Sequence, residues 1–181
     1  MNYHFTTNWR IKATCKEIYD ILGEADDLAR WWPSVYLDVK ILEKGLPGGL
    51  GKRVALFTKG WLPYTLTWQF VVTEVHPDDH SGFSLEAVGD FVGRGVWKFK
   101  QEGDWCDVTY DWQISAEKPL LKYLSFLLKP IFSANHHWAM RKGFDSLLLE
   151  LRRFRGEKQV PAPPKATFPH NIWHPKPLTG K

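Results

Sequence analysis

A chain of 181 residues is long enough to bury one substantial core and short for two, and a hydrophobic fraction of 44% is ordinary for a globular protein. Ten Trp and an aromatic share of 15% supply large rigid surfaces, suited to a core or to the lining of a cavity. The formal charge of +4 is concentrated at one end: seven Lys/Arg and one Glu from Arg152 onward give +6 there and leave −2 on the body, which argues against a nucleic-acid-binding face.

Phe5, Thr7, Trp9, Ile11 and Ala13 alternate with mostly polar residues, predicting a first strand over about residues 3–13 with one buried side. Thr14-Cys15-Lys16-Glu17 has the form of a capping box, so a helix begins there and carries Ile18, Ile21 and Leu22 inward. Gly23 interrupts it, and residues 24–31 read as a second short helix ended by Trp32-Pro33. The period then returns to two over residues 36–44, 52–58, 62–75, 82–89, 92–101 and 105–116. Gly-, Pro- and Asp-rich clusters such as Gly45–Gly49 and Glu102-Gly103-Asp104 separate these runs, which predicts an antiparallel meander.

Beyond Pro119 the pattern is helical, first to Lys129 and then, past Pro130, to about Arg155; Pro130 is expected to start a new helix or kink the old one. Met140, Phe144, Leu147, Leu148, Leu151 and Phe154 form an apolar stripe, and Arg152, Arg153 and Arg155 complement the negative end of the helix dipole. Residues 156–181 form a Pro-rich tail, disordered by default, in which Phe168, Ile172 and Trp173 offer a way to fold back. Cys15 and Cys106 have neither metal nor redox spacing and read as buried, reduced thiols. No apolar run approaches the roughly 20 residues that cross a bilayer, so cytoplasmic residence is the expectation.

Strand, two short helices, six strands and a long helix is the order of an α+β helix-grip fold. The segments Gly89–Trp97, Val108–Trp112 and Asn135–Met140 resemble the polyketide cyclase/dehydrase-like branch of the START-like (SRPBCC) superfamily, over about residues 3–155. The resemblance implies a curved sheet of about seven strands around the last helix, a START-like domain over residues 1–155, and a cavity for an apolar small molecule such as a polyketide, quinone or lipid. It implies no shared catalytic set, so cyclisation or dehydration stands beside a non-catalytic carrier and a protein-interaction module.

Alternation turns Leu66, Trp68 and Phe70, then Phe83, Leu85 and Ala87, then Trp97 and Phe99, then Val108, Tyr110, Trp112 and Ile114 toward the last helix, where Met140, Gly143 and Phe144 face them. Trp68, Phe70, Leu85, Ala87, Trp97, Phe99, Tyr110, Trp112, Met140, Gly143 and Phe144 are therefore the expected ligand contacts. Gly143 either opens volume or permits close packing. Tyr110 is the first candidate for polar work, as an inward phenol able to donate to a developing enolate, against the plainer reading of a satisfied core tyrosine. His137, the histidine of its pair expected to point inward, and Arg94 are the further candidates for acid, base or enolate stabiliser. The plainer readings are a helix-surface or capping histidine and, for Arg94 with Asp90, an ion pair that stabilises the turn rather than a hold on a ligand carboxylate at the rim. Adjacent helical histidines diverge by about 100°, so His136 and His137 are no chelating pair, and neither metal nor cofactor is expected. Residues 120–128, apolar on nearly every side, together with Trp31-Trp32-Pro33 and Gly60–Tyr64, are expected around the mouth, the first as a gate touching a membrane or a second subunit.

Overall fold

The computed structural model describes residues 2–116 and 125–167. A strand β1 (Asn2–Ile11) leads into a helix α1 (Cys15–Gly23), a single 3₁₀ turn over Ala25–Asp27 and a short helix α2 (Leu28–Trp31). Six strands follow: β2 (Tyr36–Glu43), β3 (Arg53–Lys59), β4 (Thr65–Val75), β5 (Gly82–Gly89), β6 (Phe91–Glu102) and β7 (Trp105–Ala116). A long helix α3 (Ser125–Phe154) comes last. The strands form one antiparallel sheet in the order β1-β7-β6-β5-β4-β3-β2, so only β1 leaves sequence order, crossing to pair with β7. The sheet is open and curved around α3, which is the helix-grip architecture.

Local chemistry sets the boundaries. The capping box at α1 is complete: the Glu17 N–H donates to Thr14 Oγ1 at 3.2 Å and the Thr14 N–H donates to Glu17 Oε2 at 2.8 Å. The β6–β7 turn passes through Gly103 at φ 59°, a left-handed conformation that glycine adopts without a Cβ clash. Pro130 neither starts a helix nor ends one. It sits in the second turn of α3, where it forfeits the bond to the Phe126 carbonyl while the helix continues on either side.

The buried face of α3 is not quite the expected stripe. Met140, Gly143, Leu147 and Leu151, spaced by three and four, face the sheet, whereas Leu148 and Phe154 are exposed. Glu150 takes a place on the buried side because Arg30 reaches across from α2, donating to Glu150 Oε1 at 2.6 Å and Oε2 at 3.0 Å. At the other end of the same packing, Arg155 donates to both Glu17 oxygens, and this hydrogen-bonded ion pair holds the Glu17 carboxyl down at about 2. Ile11, Ile18, Val54, Leu56 and Leu147 are essentially inaccessible; each buried aliphatic of this size contributes about 1.5–3 kcal/mol. Cys15 and Cys106 are buried free thiols, their sulfurs 2.7 Å apart, and burial raises both pKa values.

Residues 157–167 leave α3 and run back along the molecule, while the tail residues Phe168, Ile172 and Trp173 lie outside the described residues. So do residues 120–124 and the side chains of residues 125–128, and with them the expected membrane or subunit gate. Among the described residues no helix is long and apolar enough to cross a membrane.

Candidate functional site

Between the concave sheet and α3 lie two chambers that share a waist formed by Trp32, Tyr36, Trp68, Tyr110 and Met140. The inner chamber, about 130 Å³, is bounded by β1, β7 and the first half of α3, with Tyr3, Phe5, Trp112, Phe132 and His136 in its wall. The outer chamber, about 410 Å³, lies toward α1 and the β2–β3 loop, with Leu28, Phe70, Leu85 and Trp97 in its wall and Lys52 at its rim. Lys52 is tied there to Glu24 at 3.0 Å and to Asp26 at 3.6 Å.

The sheet side is a stacked aromatic floor. Trp97 and Tyr110 are direct cross-strand partners, their rings 4.0 Å apart and 17° from parallel, and Trp112 continues the stack at 5.7 Å. Gly95 makes this possible: a Cβ there would stand 2.9 Å from both Tyr110 Oη and Trp112 Cε3. Trp68 abuts Trp112 at 5.7 Å and donates its indole N–H to Thr58 Oγ1 at 3.0 Å, which fixes its ring at the waist. Burial drives the Tyr110 phenol well above its ordinary pKa and raises Tyr36 and Tyr64 as well, so all three are neutral O–H groups at physiological pH.

The helix side contributes His136. Its ring stacks on Phe5 at 4.2 Å, and burial lowers its pKa to about 4, so it is a neutral imidazole near pH 7. His136 Nε2 and the Tyr3 hydroxyl are buried, line the inner chamber, and have no hydrogen-bond partner among the described residues. Lys59 lines the same chamber although the residue is only 2% exposed; its Nζ donates to the Thr167 carbonyl, and burial lowers its pKa.

The structure gathers only some of the residues singled out in the sequence. Trp68, Tyr110 and Met140 bound both chambers, Trp112 the inner, and Phe70, Leu85 and Trp97 the outer. Ala87 is buried in the sheet, and Phe99 packs on Tyr19 and Phe83; neither lines a chamber. Phe144 lies against Trp9 at 5.9 Å, outside both chambers. Gly143 opens no ligand volume, because the Trp32 ring occupies the space where its side chain would be. His137 is exposed, its Nδ1–H donating to the Ser133 carbonyl at 2.7 Å; the inward histidine is His136, one 100° step round the helix. Arg94 is on the outer face of β6, 3.5 Å from Glu74 Oε2, and Asp90 accepts from the Thr67 N–H at 2.9 Å, so neither holds a ligand at the rim. Of the aromatic segments, Trp31 and Trp32 are buried, and Gly60 and Tyr64 line the inner chamber.

The sequence did not single out Tyr3, Tyr36 or Lys59; it put Phe5 on a buried strand face without assigning it to the site, Trp32 at the mouth rather than the waist, and His137 inward in place of His136. Tyr3 extends the β1 alternation back from Phe5, a signal visible in the chain, whereas Lys59 follows Thr58 at the end of a strand and its burial shows only in the structure. Among the described residues no cluster of three or more His, Cys, Asp or Glu side chains could hold a metal ion.

No protein-family profile matches the chain, and no curated protein matches it in sequence. Solved structures do match in shape. The ZhuI aromatase/cyclase of Streptomyces sp. R1128 superposes with a TM-score of 0.63 at 16% identity, over 88% of this chain and 100% of that one. A Thermus thermophilus protein, TTHA0849, gives 0.61 at 17% identity, over 83% and 95%. Thalictrum flavum norcoclaurine synthase gives 0.58 at 12%, over 86% and 98%. Likeness at these identities is likeness of backbone, and the chain has the helix-grip fold that these structures share.

Proposed function

We propose that this protein binds a hydrophobic small molecule of the polyketide, quinone or lipid kind, with the inner chamber and its waist as the recognition site. One observation carries the reading: His136 Nε2 and the Tyr3 hydroxyl are buried in the wall of an aromatic chamber with no partner among the described residues. A buried polar atom left unsatisfied costs about 1–3 kcal/mol, which a ligand carbonyl or hydroxyl would recover. With the phenols and the imidazole neutral near pH 7, these groups suit uncharged oxygen functions on an otherwise apolar ligand. The shared fold with an aromatase/cyclase and with norcoclaurine synthase supports a cavity for aromatic or ring-forming molecules.

The finer reading is a cyclase or dehydratase. The chamber would hold a flexible substrate in a near-attack shape, and the Tyr110 O–H would donate to the oxygen on which enolate charge develops. His136, at a pKa of about 4, is a weak base and serves better as a hydrogen-bond partner that orients the ligand. A non-catalytic carrier has the same architecture, and turnover separates the two.

Native mass spectrometry of the purified protein, followed by organic extraction, tests the binding. An apolar molecule released at one per chain is the expected result; a protein that is empty and takes up no quinone, polyketide or fatty acid from a panel overturns it. Tyr110→Phe keeps the stacked ring and removes the hydroxyl. Its affinity for a carbonyl-bearing ligand is expected to fall about fivefold, the worth of roughly 1 kcal/mol. Unchanged affinity in isothermal titration would remove Tyr110 from the site.

A further inference from the structure

The helix-grip fold is complete at Phe154, yet the chain continues, and its next residues are positioned by specific contacts. Gly156, at φ 82°, reverses the backbone after α3. Glu157 accepts from Arg152 Nε at 2.7 Å, and the Pro161 carbonyl accepts from Arg153. Pro161, Pro163 and Pro164 stiffen the path that follows. Extended at roughly 3.1 Å per residue, residues 157–167 reach on the order of 30 Å, which matches the rise of α3 from Phe154 back to Asn135 at about 1.5 Å per residue. The segment ends where that length predicts: the Thr167 hydroxyl donates to the Trp61 carbonyl at 3.4 Å, and Lys59 Nζ donates to the Thr167 carbonyl.

That end of the molecule is a lip of the inner chamber. Gly60 and Tyr64, either end of the β3–β4 loop, line the chamber as Lys59 does. From the helix side Asn135 Oδ1 accepts from the Leu62 N–H at 3.3 Å, and the Asn135 amide lies so close to Gly60 that a Cβ there would collide with it. From the other side the loop is held by Thr167. The loop is thus tied at both faces, once by the fold and once by the tail.

We propose that residues 157–167 are a strap whose Lys59–Thr167 latch holds the β3–β4 lip against the mouth of the inner chamber, so that opening the latch speeds ligand exchange. The inference rests on the binding reading above. A few side-chain hydrogen bonds and the half-buried Pro163 and Pro164 hold the strap, whereas the lip's neighbours are core strands, so the strap opens at lower free energy than the sheet. A ligand oxygen arriving at Lys59 would replace the Thr167 carbonyl as acceptor.

Stopped-flow quenching of tryptophan fluorescence by 2-methyl-1,4-naphthoquinone tests this on three proteins: the full chain, a chain ending at Gly156, and Lys59→Met, which keeps side-chain bulk and loses the donor. Both variants are expected to bind and release the quinone at least about tenfold faster than the full chain, with the two rates rising together. Uptake by the variants alone would be the same latch in its tightest form. Rates within about twofold of the full chain in both variants overturn the strap and leave the binding reading standing. A quinone that enters none of the three overturns the strap and the quinone form of the binding reading, leaving its polyketide and lipid forms to the extraction experiment.

Discussion

At the scale of single residues, the His136 imidazole makes the site sensitive to acid. In the unfolded chain it titrates near 6.5; stacked on Phe5 and buried, it titrates at about 4. Above pH 6.5 the group is neutral in both states and has no effect on stability. As the pH falls toward 4 the unfolded chain accepts a proton that the folded chain refuses, and stability drops, by up to about 3 kcal/mol for a shift of this size. His136→Phe keeps a ring against Phe5, so its melting temperature is expected to decline less than the parent's between pH 6.5 and 4. A proton NMR titration that places the His136 midpoint at 6 or above would refute the shift. The chain itself shows two adjacent histidines on an amphipathic helix and cannot say which faces inward, because a modest error in helix phase exchanges their roles. Arg94 departs from expectation for a similar reason: its place near a turn suggests a rim, but strand parity puts it outside with Glu74.

Elements meet through small residues that the sequence marks only as glycines. Gly143 of α3 receives the Trp32 ring, and Trp32 bounds both chambers, so this contact couples the seat of the helix to the shape of the waist. Gly143→Ala gains roughly 1 kcal/mol of helix propensity but sets a Cβ inside the indole. Overpacking of this kind typically costs about 1–3 kcal/mol, more than the propensity returns. The expected outcome is a lower urea midpoint and weaker quinone uptake together; a variant as stable as the parent with unchanged uptake would show that α3 can move away freely. Strand and helix positions were legible because alternation and the capping box are local signals, and all seven strands fall within a few residues of where periodicity puts them. Contacts such as Trp32 on Gly143, or Arg30 on Glu150, join residues more than a hundred positions apart and leave no local trace.

For the whole molecule, the order of elements was sufficient to anticipate a sheet wrapped on a helix, since a meander with one apolar face needs a long amphipathic partner to cover it. The division of the enclosed space into two chambers was not, because it depends on how five large side chains from α3, β2, β4, β7 and the segment after α2 meet at one level. That waist sets which ligands fit. With Met140 in place the inner chamber holds about 130 Å³ and the outer about 410 Å³, so a compact two-ring molecule can sit inside while a longer one must thread between Trp68, Tyr110 and the methionine. Met140→Ala removes the flexible, helix-borne part of the constriction and leaves the stacked floor untouched. Truncation of a buried methionine costs about 2–5 kcal/mol of stability, which thermal unfolding will register. The informative readout is relative affinity: the parent is expected to prefer 1,4-naphthoquinone over 9,10-anthraquinone, and the variant to narrow or reverse that preference by merging the chambers. If the ratio of the two affinities stays the same while stability falls, the methionine is core packing only, and the waist is held by the aromatic rings that remain.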